Sequence, residues 1–294
     1  MSIFKFTMLI LLTTFLMGSS FAVGKIGLSY SSPLLLAALR FTLAGFIMAV
    51  IIIVLKRPHP TSKGHWIKMI IIGAFQTTGV MGCIFLSLRT ISASESSILT
   101  FSNPLFVVIF STIFLQVSYK ISQWVGVLLG LIGVSITMGA QIEFTSGIFF
   151  GISSAIFWAI ATLLVKKWGG FFDTWILSAY QMFFGGLLLL LASFFLEKPF
   201  FILNVNALLI LLWLSIMSSI VQFVSWYYLL QKGDPGKISA FLFLAPFFGV
   251  LSGWLLLRER LYPSIVIGSL FIIISIYLVN RNFQQKNTLV KKTL

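Results

Sequence analysis

A chain of 294 residues that is 59% hydrophobic and only 9% charged cannot clothe a water-facing surface, since a soluble domain carries about 25% charged residues. The net charge of +14 would suggest nucleic acid in a soluble protein. Here the cations lie in short runs between apolar blocks, with no basic groove or recognition helix, so anionic lipid headgroups are the expected partner. One cysteine, Cys83, excludes an intrachain disulfide, and His59 and His65 share one polar connection. Neither a metal site nor a cofactor is therefore expected.

Ten apolar blocks follow in order: Phe6–Gly24, Leu34–Leu55, Ile67–Leu88, Ser94–Leu115, Ser122–Ala140, Gly147–Val165, Thr174–Leu196, Val205–Leu229, Ile238–Leu257 and Ser264–Val279. Each is near the 20 or so residues with which a helix crosses about 30 Å of hydrocarbon. Runs such as Leu187–Leu191 do not alternate, which excludes barrel strands. The prediction is an all-α polytopic membrane protein with ten transmembrane helices.

The first block has Lys5 before it and Ser20–Phe21–Ala22 near its end, the outline of a cleavable signal. Further spans follow, so it is read as a retained helix. Ser32 and Pro33 read as N-cap and first residue of the second helix. Pro104 and Pro246 fall inside the fourth and ninth blocks. Each removes a backbone donor, so both are predicted to bend helices that face a central cavity rather than lipid. Past the last block, residues 281–294 form a short basic tail.

With ten spans both termini share a side. Fourteen Lys and Arg fall on that side and five on the other, with Arg40 left inside a span. The positive-inside rule then places both termini in the cytoplasm.

The halves of the chain look like copies. Met17–Lys25 (MGSSFAVGK) aligns with Trp158–Lys166 (WAIATLLVK) at an offset of 141, and Gly45 falls on Gly186 at the same offset. With one added residue, Pro104 falls on Pro246 and Gly126 on Gly268. Five spans per half is an odd number, so the second copy must enter the membrane inverted. The expected organisation is two five-helix repeats, residues 6–140 and 147–280, about a pseudo-two-fold axis in the membrane plane. From that arrangement alternating access follows.

The run MGSSFAVGK, then PLLLAALRFTLAG, then Asn103–Pro104, then FWAIATLLVKK and LAPFFGVLSGWLLLRERLYPSIVIGSLFIIISIYL, resembles the EamA-type family of the drug/metabolite transporter superfamily. The resemblance covers Phe6 to Asn280. It implies two EamA repeats, a ten-helix carrier in the cytoplasmic membrane, and movement of small metabolites, often efflux of amino acids or related compounds. The family's proline followed thirteen residues on by a glutamate matches Pro246 and Glu259. In the first half that acid position is Val117.

Polar stripes on apolar helices mark candidate substrate contacts, because polar groups are costly in lipid. Ser215, Ser219, Gln222 and Trp226 share one helix face, as do Gln76, Gly79, Cys83 and Ser87. Ser96, Thr100 and Asn103 form a third stripe, and Ser154, Trp158 and Thr162 a fourth. On this reading Gln76, Asn103 and Gln222 offer hydrogen bonds to a small-molecule substrate, and Trp158, Tyr180, Trp226 and Tyr227 form aromatic walls. The plainer reading is that hydroxyls bond their own helix carbonyls, amides join helices and aromatics sit in interface belts.

Arg40 either pairs with a substrate carboxylate or anchors a neighbouring helix. Its counterpart in the second half is Gln181. Lys25 and Lys166 read as interfacial anchors or gate elements, and Glu259 reads as pairing locally with Arg258 and Arg260. Glu95 and Asp173 are the only acids expected to approach the cavity. No carboxylate falls mid-span, so ion coupling through a buried acid is not indicated. Gly126, Gly130 and Gly133 make a close-packing face, within the chain or at a homodimer seam. An enzyme would need clustered acids, histidines or a Ser/Lys pair at membrane depth. A carrier is the leading expectation. A channel, or a structural or regulatory membrane protein, is the alternative.

Overall fold

Helices begin and end where proline, serine and charged residues punctuate the apolar blocks. The computed structural model describes residues 3–116, 118–137, 145–232, 241 and 244–281, and is helical apart from turns and one isolated antiparallel bridge, Ser31 with Phe201. Its helices are α1 (Ile3–Gly27), α2 (Pro33–Val54), α3 (Lys63–Gly73), α4 (Val80–Ser87), α5 (Ala93–Thr100), α6 (Asn103–Leu115), α7 (Ile121–Thr137), α8 (Ser146–Trp168), α9 (Thr174–Leu196), α10 (Val205–Leu212), α11 (Gln222–Lys232), α12 (Leu244–Leu257) and α13 (Pro263–Arg281). The tail beyond Arg281 lies outside the described residues.

Among the described residues seven helical stretches are long and apolar enough to cross a membrane, and three shorter apolar helices, Ile121–Ile136, Leu244–Leu257 and Pro263–Ser275, accompany them. Large apolar side chains such as Val54, Phe114, Phe195 and Leu203 are exposed on the outside. In water so much exposed apolar surface would drive association, whereas in a bilayer it meets hydrocarbon.

Two of the crossing stretches contain π-helical segments. Ala74–Gly79 joins α3 to α4, and Trp213–Val221 joins α10 to α11. A third stretch is broken: α5 stops at Thr100, two residues form a turn, and α6 restarts with Pro104 as its second residue. Pro104 thus starts a helix, where its missing N–H is harmless. Pro246 stands in the first turn of α12 and is buried. Most of the predicted ninth span ahead of Leu244 lies outside the described residues.

Helices from the two halves of the chain pack against each other throughout. The most extensive contacts are α2 with α9, α7 with α13, and α1 with α12, followed by α4 with α8. Glycines permit the close approaches. A side chain at Gly186 would strike the backbone of Phe41 and Thr42, and one at Gly45 would strike Phe183, so α2 and α9 meet backbone to backbone. The face of Gly130 and Gly133 is spent inside the chain: a Cβ on Gly133 would stand 2.9 Å from the Gly268 carbonyl oxygen of α13.

Call the end of the bundle where α1 ends and α2 begins the far end, and the end where α2 ends and α9 begins the near end. At the far end the backbone N–H groups of Leu34 and Leu35 donate to the Glu197 carboxylate (3.2 and 2.9 Å). Ser32 holds the N-cap position of α2 but its side chain makes no cap; its hydroxyl accepts from Phe200 instead. Glu259, expected to pair with its flanking arginines, accepts from Ala93 N–H (2.6 Å), Ser94 N–H (3.1 Å) and Ser94 Oγ (2.6 Å). The first N–H groups of a helix, which lack intrahelical partners, are a stronger attraction for a carboxylate than exposed arginines on its own turn.

Candidate substrate cavity

The bends and π segments leave a cavity of about 240 Å³ between α1, α2, α8, α9, α11 and the broken stretches. Phe21, Phe85 and Phe101, all buried, close it toward the far end. Phe101 lies 5.8 Å from Phe21 and 5.6 Å from Trp158, ring centre to ring centre. Toward the near end the lining face of α8 becomes progressively exposed, from half-buried Trp158 to exposed Thr162 and Val165.

Arg40 stands in this wall, only 4% exposed. Its position is set by the second π segment. In an α-helix the Gln222 N–H would reach the carbonyl of Ser218, four residues back; here it reaches Met217 and Ser219 instead. The Ser218 carbonyl that is passed over accepts from Arg40 Nη2 (2.8 Å), and Ser219 Oγ accepts from Arg40 Nε (3.0 Å). The guanidinium also lies over the Phe41 ring, 4.7 Å from its centre. Among the described residues no carboxylate lies within ion-pair distance of it.

The first π segment mirrors this joint with neutral groups. The Val80 N–H reaches back to Phe75, the Thr77 hydroxyl donates to Gln181 Oε1 (2.7 Å), and the Thr78 hydroxyl donates to the Gly185 carbonyl (2.9 Å). Thr77 and Thr78 stand 141 residues before Ser218 and Ser219, the offset that also relates Arg40 to Gln181. Periodicity along the chain does not reveal these joints, because a π turn shifts the helix face by one residue and its partner side chain lies in the other half of the chain.

Of the residues expected from sequence, Gln76, Trp158, Gln222, Trp226 and Arg40 line the cavity together. Asn103 and Tyr180 do not. The break after Thr100 turns Asn103 into the start of a new helix, and Thr100 and Phe101 take the wall position. Tyr180 lies between the lining residues Leu177 and Gln181 along α9 but on another face, where its hydroxyl is 2.9 Å from His59 Nε2 and its ring meets Trp66. The Tyr227 side chain lies outside the described residues. Neither Pro104 nor Pro246 lines the cavity. Glu95 is absorbed in a capping box with Ser92, and Asp173 caps α9 through the N–H groups of Trp175 and Ile176.

Sequence reasoning passed over Gln181, which lines the cavity beside Arg40, and Glu197, whose signal was only an acid at the end of a long apolar block. Among the described residues no group of His, Cys, Asp or Glu could hold a metal ion.

A bundle of apolar helices with lipid-facing apolar surface around a largely apolar cavity carrying a few convergent polar groups defines a multi-pass membrane protein. The model of the EamA-like transporter family matches the chain twice, over residues 5–139 and 145–281. The chain belongs to that family, within the drug/metabolite transporter superfamily, and is a membrane transporter. It is 30% identical over 285 residues to an uncharacterized transporter of Archaeoglobus fulgidus, covering 94% of this chain and 99% of that one. It is 28% identical over 270 residues to the uncharacterized transporter YvbV of Bacillus subtilis, covering 90% and 87%. A solved crystal structure shares its fold, with a TM-score of 0.66 over 95% of this chain and 98% of that chain at 20% identity.

Proposed function

We propose that the chain is an alternating-access carrier that exports a small metabolite, an amino acid or related compound, across the cytoplasmic membrane with both termini inside. The observation that carries this reading is a central cavity exposed toward the near end and sealed at the far end by contacts between the two halves. The sequence count assigns fourteen of the cations to the side of the near end, so on this reading the cavity would load from the cytoplasm. On this reading residues 6–140 and 147–280 are two inverted repeats giving ten spans. Supporting it are the cross-half helix pairs, the two π segments, and the matched joints of Arg40 on Ser218 and Gln181 on Thr77. Exchange of conformation between such halves closes one end as it opens the other.

The test is flux into proteoliposomes with amino acids and related organic acids as candidates. A carrier shows saturation and acceleration by substrate on the trans side. Flux linear in concentration would favour a channel, and no flux with any candidate would favour a structural role.

A further inference from the structure

We propose that the cavity selects a small carboxylate with an apolar or aromatic body and no ammonium group, and that Arg40 is the specificity-determining residue that reads its charge; this rests on the carrier reading above and narrows its substrate class from amino acids and related compounds to the related organic acids. A buried, uncompensated cation is costly, and Arg40 is buried without a described carboxylate partner. A charge is not needed to join a helix to a π segment at this position: at the aligned position Gln181 does so with a neutral amide, accepting from the Thr77 hydroxyl where Arg40 donates to Ser218 and Ser219. The charge at position 40 is therefore surplus to holding α2 in place, and a bound anion would offset its burial.

The geometry suits that role. With Nε and one N–H of Nη2 tied to the π segment, the guanidinium plane is fixed. The remaining N–H of Nη2 and the N–H groups of Nη1 form the end-on edge of the fork, which matches two carboxylate oxygens. The rest of the wall is apolar or neutral: Phe101, Trp158 and Trp226 flank the space, and Gln76 and Gln222 supply uncharged hydrogen bonds. No Asp or Glu is among the described lining residues. An ammonium group would lose its water there, find no counter-ion and meet the field of Arg40. A volume of about 240 Å³ lies just below the range of about 300–1,000 Å³ for ligand pockets, which suits a body of one ring and a short chain.

The experiment uses four probes of one shape: 3-phenylpropanoate, its amide 3-phenylpropanamide, zwitterionic phenylalanine and cationic 2-phenylethylamine. Binding is read by thermal stabilisation of the purified full-length protein, and transport by counterflow in proteoliposomes. The expected order is the acid first, on the order of ten- to a hundredfold tighter than the amide, then phenylalanine, with the amine last. In Arg40→Gln the acid should fall to the level of the amide, while the amide stays within about threefold of its wild-type affinity. Ser219→Ala removes one partner of Arg40 but not its charge, and should keep the preference for the acid. An acid bound no tighter than its amide by the wild-type protein would overturn the proposal without any variant. So would equal losses of acid and amide in folded Arg40→Gln. Counterflow of the amide or amine in preference to the acid would retire the charge assignment and leave the carrier standing. Absence of counterflow with all four probes and with amino acids would retire both.

Discussion

At the far end of the bundle two carboxylates, Glu197 and Glu259, each accept hydrogen bonds from the first N–H groups of a helix in the other half of the chain. At the near end the described contacts across the halves include an exposed ion pair, Arg57 with Asp173 at 3.1 Å, and the bond between His59 and Tyr180. In the aligned sequence Lys56 and Val117 stand where the second half has Glu197 and Glu259. The acid of each far-end clasp is thus present once, and only at one end. A carboxylate on a helix N-terminus combines charge-assisted hydrogen bonds with the helix dipole in a partly buried setting. An exposed ion pair is screened by water and salt. The far end should be the harder one to open, in keeping with the side on which the cavity is sealed.

The sharpest way to break that comparison is to measure access to each end. With Cys83→Ser as background, a thiol at exposed Thr162 should react about tenfold or more faster with a bulky maleimide than one at Ser31, which is 1% exposed, because thiol reactivity follows exposure. Equal rates would mean that the far end is not closed in the resting protein.

The clasps come next. Glu259→Gln leaves two backbone N–H groups and the Ser94 hydroxyl without an ionic acceptor, and should lower apparent stability by about 2–4 kcal/mol. The drop would be read as a lower Tm by tryptophan fluorescence, and the Ser31→Cys thiol should become reactive in the same background. Glu197→Gln should act in the same direction, by about 1.5–3 kcal/mol, since it serves Leu34, Leu35 and the Ser193 hydroxyl. A Tm unmoved by either change would show that the clasps are incidental.

The smallest effect is expected from Arg57→Ala, which removes the near-end ion pair while Asp173 keeps its cap on Trp175. It should cost less than about 1 kcal/mol, and less still at high salt. A loss as large as that of Glu259→Gln would erase the distinction between the ends.

Much of the site was legible in sequence where a polar group interrupts an apolar face at helical spacing. Gln76, Trp158, Gln222 and Trp226 were found in that way, and Arg40 by the cost of a cation inside a span. Asn103 shares a stripe with Thr100, which lines the cavity, and Tyr180 was expected as an aromatic wall, yet neither lines it. Sequence names a polar or aromatic residue but not the partner, such as His59 and Trp66 for Tyr180, nor the break at Thr100 that re-aims Asn103. Glu259 was misread for a related reason: the residues adjacent in sequence, Arg258 and Arg260, compete with a helix N-terminus that comes close only in the folded chain.

Composition and hydrophobic periodicity by themselves determined that this is a multi-pass helical membrane protein, roughly where its helices lie, and which residues are too polar for lipid. Those properties are local, since each apolar segment meets hydrocarbon on its own account and must satisfy its backbone internally. The tertiary structure decided the rest: that Arg40 rests on a carbonyl released by a π segment of the other half, that Gln181 meets the other π segment by accepting from the Thr77 hydroxyl, and that Glu197 and Glu259 clasp helices 163 and 166 residues away in the chain. Each is a pairing across the bundle, and a polar group takes the partner that folding brings within 3 Å of it, which no spacing along the chain can specify.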